Sequence, residues 1–295
     1  MRRNARLSKA ICEVEFLERR MLMSVLYVTV TDSGDPAPSS SGTTLRQAIN
    51  AVNQNEINFH QGGTITFSPS MTGGQTIALA KGSRPLHLYG GVSVDIKGDG
   101  TSVTIDGKYY SNIFQVDSGE QATISGLTIT KGGTDKNIGN GGGIYNAGTL
   151  ALVDCNISHS QAASGAGIFN NSGHLTITGG SISNDTAGSN GGGIYNNSGG
   201  TIDSIEGDGS GNVQINSDQA LGGNGGGIFN AGTIGTVSNT QVNSDSASNN
   251  GGGISNSGTI GTLASVQIGN YTSPSVHVGD TAGGNGGGIY NTGSI

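Results

Sequence analysis

Apolar side chains recur along this chain as columns, set apart by glycine, asparagine and aspartate. A glycine-rich hexapeptide marks each recurrence: GGGIYN at Gly141, Gly191 and Gly286, GAGIFN at Gly165, GGGIFN at Gly225 and GGGISN at Gly251, with starts 24 to 35 residues apart. A period in this range predicts one supersecondary unit stacked on copies of itself. Aligned on the hexapeptide, the repeats give one apolar column of Ile144, Ile168, Ile194, Ile228, Ile254 and Ile289, and a second of Leu150, Leu175, Ile202, Ile234, Ile260 and Ile295. A third column holds Leu152, Ile177, Ile205, Val237 and Leu263, and a fourth Ile157, Ile182, Ile215, Val242 and Ile268. Ala162, Ala187, Ala220, Ala247 and Ala282 form a column of small residues. Short alternating segments at this spacing predict three strands per repeat and one turn of a parallel β-helix, with rungs about 4.8 Å apart. Asn146, Asn170, Asn196, Asn230, Asn256 and Asn291 then stack as a structural ladder at a corner.

Upstream, VLYVTVT (25–31) reads as a first strand. Residues 43–53 read as a helix, with Thr44 as N-cap and Leu45, Ala48, Ile49 and Val52 on one face. Its expected job is to cover the open end of the core. Further strands are predicted at 64–67, 76–79, 92–96, 103–106, 113–116 and 122–130.

Composition narrows the function classes. The 55 glycines would suggest disorder if they were scattered, but here they keep register with isoleucine, which argues for order. Six of the 13 Lys and Arg lie in the first 20 residues, and none follows Lys136, so no basic face exists for a nucleic acid. No run of 18 apolar residues is present, which excludes a membrane-spanning helix. Two cysteines, Cys12 and Cys155, make neither a disulfide framework nor a metal site, and Cys155 reads as a small buried hydrophobe.

Two motifs carry resemblances. LERRMLMS (17–24) resembles a short N-terminal motif of large exported or surface proteins of planctomycetes and some other bacteria, matching at Leu17, Glu18, Arg20, Leu22 and Ser24, with Arg19 in place of a proline. It implies export and makes residues 1–24 a leader; the plainer reading is a solvated basic tail. Residues 43–295 resemble secreted bacterial β-helix proteins with polymorphic outer-membrane-protein repeats, of pectin-lyase-like fold. The Gly-Gly-[Ala/Gly]-Ile element of those repeats is well kept; Ile157, Ile182, Ile215 and Val242 stand where a Phe would be. TLRQAINAVN (44–53) is similar to the motif that precedes such repeats, without its Cys and with Gln47 for Glu, and ATISGLTITKGG (122–133) to the entry of the first one. The resemblance implies a passenger, adhesin or surface protein and leaves activity open.

Candidate chemistry sits in three places. Two rungs carry insertions, EGDGSGNVQ (206–214) with Glu206 and Asp208, and GNYTSPSVHVGDT (269–281) with Tyr271 and His277. They read as protruding binding loops or as neutral loop drift. Two residues before each small Ala stand Ser160, Asp185, Asp218, Asp245 and Asp280. Carboxylates stacked about 5 Å apart repel by about 1–3 kcal/mol, which some group must offset. Asp185, Asp218, Asp245 and Asp280 are therefore weak Ca²⁺ candidates, against the alternative that each caps its own corner as a turn residue. The same column could supply the paired carboxylates of a glycoside hydrolase. The absence of Lys and Arg beyond residue 136 argues against a uronate lyase, and the histidines lack spaced partners. Ice binding would need flat threonine arrays; one partial column (Thr149, His174, Thr201, Thr233, Thr259) runs beside a broken one (Ala151, Thr176, Asp203, Gly235, Gly261).

The sequence thus predicts an all-β chain, a right-handed parallel β-helix over 25–295 with its regular repeats over 139–295. The hand follows the resemblance and the usual chirality of parallel crossovers. The expected role is an exported, extracellular or cell-surface structural or adhesive module, non-catalytic, with a surface polysaccharide or protein as partner and no cofactor beyond weakly held Ca²⁺. A polysaccharide-degrading lyase or hydrolase is the alternative. The sequence stops at Ile295 as a rung enters its second apolar column, which suggests a shortened product or end-to-end self-association.

Overall fold

A computed structural model describes residues 25–35, 41–71, 73–98, 102–133, 139–209, 211–269 and 279–295. The expected leader 1–24 with Cys12, and residues 270–278 of the second insertion with Tyr271 and His277, lie outside the described residues. The rest is an all-parallel β-solenoid of about seven turns. Among the described residues no helix is long and apolar enough to cross a membrane.

Each regular turn contributes four short strands rather than three. The turn that starts at Gly141 runs Ile144–Asn146, Thr149–Val153, Asn156–Ser158 and Gln161–Ala162. Their stacks form an eight-stranded, a 15-stranded and a five-stranded sheet. The 15-stranded sheet joins two stacks, because Thr233–Asn243 continues as one 11-residue strand through the corner between the second and third strands, where Asn239 is left-handed.

Except at Ile295, which lies in no strand and is exposed, the apolar columns predicted from the repeats are lines of register partners. Ile144 pairs through Ile168, Ile194, Ile228 and Ile254 to Ile289. Leu150, Leu175, Ile202, Ile234 and Ile260 align, as do Ala162 through Ala282. The isoleucine, leucine and valine side chains make one continuous core that begins at Val30 and is closed to solvent through Ile254 and Ile260, while Ala162, Ala166 and Ala187 form a small cluster of their own. Each isoleucine taken fully out of water contributes about 1.5–3 kcal/mol, so stacking many copies sustains a core only one rung wide.

The helix α1 covers Leu45–Phe59, six residues past the predicted end. The predicted N-cap holds: Thr44 Oγ1 accepts the Gln47 N–H at 3.2 Å, and Gln47 Oε1 accepts the Thr44 N–H at 3.0 Å. At the other end, His60 adopts the left-handed conformation and donates its N–H to Glu56 O at 2.8 Å. The helix lays Leu45, Ala48, Ile49 and Val52 against Leu26–Val30, Gly63–Phe67 and Leu86–Leu88, and so caps the core at that end.

Strand edges differ in detail from the sequence reading. The segment 122–130 splits into Gln121–Ser125 and Thr128–Thr130 around the left-handed Gly126. Leu86–Leu88, a strand only three residues long, escaped the pattern.

Candidate functional site

The corner after each Asn156-type strand explains the aspartate column. The residue before Ser160, Asp185, Asp218 and Asp245 is left-handed: His159, Asn184, Ser217 and Ser244 have φ between 56° and 62°. That turn takes the next N–H out of the ladder, and the carboxylate of the following rung receives it. Ser160 N–H donates to Asp185 Oδ1 at 2.6 Å, Asp185 N–H to Asp218 Oδ1 at 2.8 Å, Asp218 N–H to Asp245 Oδ1 at 2.8 Å, and Asp245 N–H to Asp280 Oδ1 at 2.9 Å. The aspartates therefore bridge rungs; they do not cap their own corners.

The column faces inward. Asp185, Asp218 and Asp245 are fully buried, and Asp280 is half-buried. The second oxygen of each, Oδ2, has no hydrogen-bond partner. It points at the third glycine of the preceding hexapeptide: a β-carbon added to Gly193 would sit 2.6 Å from Asp218 Oδ2, and one added to Gly227 2.7 Å from Asp245 Oδ2. These glycines leave no room for any side chain where the carboxyl lies. Burial pushes the Asp185 carboxyl up to about 8. It holds Asp218 and Asp245 well above the usual carboxylate range, their charged neighbours adding to the effect, and pushes Asp280 up to about 7. A proton on Oδ2 would neutralise each group in place. Among the described residues no three or more His, Cys, Asp or Glu side chains converge as a metal-holding group. Each rung offers one free carboxyl oxygen, whereas Ca²⁺ takes six to eight oxygen ligands.

The asparagine ladder is built on the same principle. Asn146 Nδ2 donates to Asn170 Oδ1, Asn170 to Asn196, and Asn196 to Asn230, each at 2.8 Å. Asn230 donates to Asn256, and Asn256 to Asn291, each at 2.7 Å. Each amide also donates to a backbone carbonyl of the next rung, such as Thr201 O at 3.1 Å and Thr233 O at 3.0 Å. A second ladder, not foreseen, has Asn190, Asn224 and Asn250 each accepting the N–H of the corresponding Asn one rung on, at 2.7–3.0 Å.

Three outward features remain. Tyr145, Phe169, Tyr195 and Phe229 stack at centroid distances of 5.7, 4.9 and 4.9 Å. Their faces are spent on one another, so the stripe stiffens the wall instead of offering a platform for a ligand. Ser255 interrupts it between Phe229 and Tyr290.

The threonine face also differs from the sequence reading. A bulge at Asp203 shifts the register, so that Thr176 pairs with Ser204 and Ser204 with Thr236 and then Thr262. The second outer column is therefore Thr123, Ala151, Thr176, Ser204, Thr236 and Thr262, beside Thr149, His174, Thr201, Thr233 and Thr259. A hollow of about 170 Å³ opens over Ala151, walled by Thr123, Thr149, Thr176 and Asp95. His174, expected to lack a partner, lies 3.2 Å from both carboxylate oxygens of Asp203, and His87 lies 2.8 Å from Asp117 Oδ2.

The first insertion is a loop that closes on itself, with Gly211 N–H donating to Asp208 Oδ1 at 2.9 Å, and Val213 returns to the core. Glu206 ends the strand that leads into it.

Two buried acids lie outside the repeat signal. Glu56 of α1 and Glu120 are both shielded from solvent; Glu120 Oε2 accepts the Gly91 N–H at 2.9 Å, while both Glu56 oxygens lack partners. Burial first, and the charge of Glu120 second, push Glu56 up to about 8. A signal existed: Glu56 stands four residues after Val52, on the apolar face of the helix.

Comparison of the chain with protein-family models, curated proteins and solved structures finds no match.

Proposed function

We propose that this chain is an exported, non-catalytic β-solenoid module that adheres at a cell surface or in the extracellular space to a polysaccharide or protein partner. The observation that carries the non-catalytic half is the sealing of the aspartate column. Paired carboxylates would be the means of hydrolysis, and Asp185, Asp218 and Asp245 are closed to any substrate and occupied with backbone N–H groups of the neighbouring rung.

The adhesive half is supported by the outer walls. They present columns of hydroxyl and amide groups at rung spacing, broken by few charges, and such groups exchange hydrogen bonds with sugar hydroxyls. Export is supported by the resemblance of residues 17–24 to leader motifs of planctomycete surface proteins. The surface role is supported by the likeness of the GGGI repeats to polymorphic outer-membrane-protein repeats.

The test is a pull-down of the full chain on a panel of insoluble polysaccharides, with each supernatant analysed for released oligosaccharides. Binding without release is expected. Released oligosaccharide sinks the non-catalytic reading, and failure to bind any polysaccharide moves the partner to a protein.

A further inference from the structure

Positive charge is scarce in the described chain, and most of it is spent. Arg46, Lys97, Lys108 and Lys131 all lie against aspartates. Lys81 and Arg84, three residues apart on one turn, are exposed and have no ion-pair partner among the described residues. Arg84 lies on the rim of a cavity of about 320 Å³ between α1 and the strand Leu86–Leu88. That volume is within the range of small-molecule sites.

The cavity is built on a fixed frame. Arg46 Nη1 donates to Pro85 O at 3.0 Å, and its Nη2 to Asp35 Oδ2 at 3.1 Å. Asp35 Oδ2 accepts the Ala80 N–H at 3.1 Å, and Ser83 Oγ donates to Ala80 O at 2.7 Å. The buried Asp35–Arg46 pair thereby bolts the turn 80–85 to the cap helix and sets where Arg84 emerges. The pair also neutralises the Asp35 carboxylate beside the cavity. Asp117 is engaged by His87.

The lining is chemically mixed in a particular way. Ile49 and Leu86 make an apolar floor. Tyr89, packed on His87 at a centroid distance of 4.8 Å, makes an aromatic wall. Asn50 and Ser83 bring an amide and a hydroxyl to the same lining as the Arg84 guanidinium. An aromatic face suits the apolar side of a sugar ring, an amide and a hydroxyl suit its hydroxyl groups, and a free guanidinium fork suits an oxyanion.

We infer that the cavity between α1 and Leu86–Leu88 is a binding site for an anionic saccharide residue, its carboxylate or sulfate on Arg84 and its ring on Tyr89. The inference rests on the adhesive reading and names the ligand chemistry of one site within it. Arg84 provides the attraction that a chain of net charge −7 otherwise denies to an anion, with Lys81 on the same turn adding to it.

The test titrates the full chain with glucuronic acid, N-acetylglucosamine 6-sulfate and glucose, followed by ligand-observed NMR. At least one anionic sugar is expected to bind about ten-fold or more tightly than glucose, and the two anionic arms separate carboxylate from sulfate. R84Q is expected to lose about ten-fold or more of that affinity, as loss of a charge-assisted hydrogen bond requires, with an unchanged thermal midpoint because Arg84 is exposed. Y89A is expected to weaken all three sugars together, and added salt to weaken only the anionic ones. Equal affinity for glucose and both anions, or an R84Q chain that binds like the parent, overturns the site. If R84Q still adheres to insoluble neutral polysaccharides while neither anion is preferred by the parent, the site fails and the adhesive module stands; if the parent binds neither sugars nor polysaccharides, the site fails and the adhesive reading keeps only a protein partner.

Discussion

Replacing Asp218 with asparagine is predicted to flatten the chain's loss of stability with rising pH. Asp218 is fully buried in the middle of its column, between Asp185 and Asp245. Burial and its two charged neighbours hold its carboxyl well above the ordinary value of 3.8, as burial holds Asp185 at about 8. Between about pH 4 and the raised folded value, the folded chain keeps the proton and the unfolded chain does not. Unfolding then releases a proton, so stability is complete below pH 3.8 and falls as pH rises toward the folded pKa, by about 1.4 kcal/mol per pH unit for each such group. A carboxyl held at about 8, as at Asp185, costs about 3 kcal/mol from pH 5 to pH 7. The asparagine side chain would keep an Oδ1 to receive the Asp185 N–H and would not titrate, so D218N should lose less stability than the parent over the same interval. Urea unfolding followed by circular dichroism at pH 5, 6, 7 and 8 measures the difference. Thermal midpoints give its sign even if the rungs unfold in stages. Parallel pH curves for the two chains, or a parent more stable at pH 8 than at pH 5, would refute the reasoning.

Other predictions follow from the same geometry. N196A removes a buried amide and takes the side-chain donor from Asn230 Oδ1 and Thr233 O, while Asn170 Nδ2 keeps Gly173 O and Thr201 O, so it should cost about 1–3 kcal/mol in urea unfolding. Cys155 is buried, donates weakly to Ile124 O at 3.3 Å, and is pushed by burial up to about 11. A thiol reagent at pH 8 should therefore modify it only at the rate of unfolding, and rapid native-state labelling would show the site to be open. Gly193→Ala places a β-carbon 2.6 Å from Asp218 Oδ2 and should lower the thermal midpoint by several degrees.

Much of the fold was legible because a stacked rung copies its side-chain chemistry onto the next. Ile144 through Ile289 could be aligned by eye, and the asparagine ladder with them, since identical groups must meet at each level. The threonine face was misread for a related reason. The second and third apolar columns are two residues apart at Leu150 and Leu152 but three apart at Ile202 and Ile205. That extra residue is the bulge at Asp203, which restores Ser204, Thr236 and Thr262 to register. The helix was drawn short because polar residues beyond Val52 hide the fact that Asn53 and Glu56 are buried. Burial itself was the least legible feature. The aspartate column is plain in the sequence, but its inward direction depends on the left-handed residues Asn184, Ser217 and Ser244 and on the glycine opposite each carboxyl. The cavity at Arg84 was not seen at all, because α1 and the turn 80–85 meet only in three dimensions.

The central claim is that the repeated aspartates are interior, neutral structural acids and neither catalysts nor cation ligands. The most direct measurement is a carboxyl-carbon NMR titration of the folded, isotope-labelled chain, run with and without CaCl₂. The account predicts that Asp185, Asp218, Asp245 and Asp280 titrate above the ordinary aspartate range, apart from the other aspartates, and that Ca²⁺ leaves them unmoved. Carboxyls all ionised by about pH 5, or shifted when Ca²⁺ is added, would contradict it.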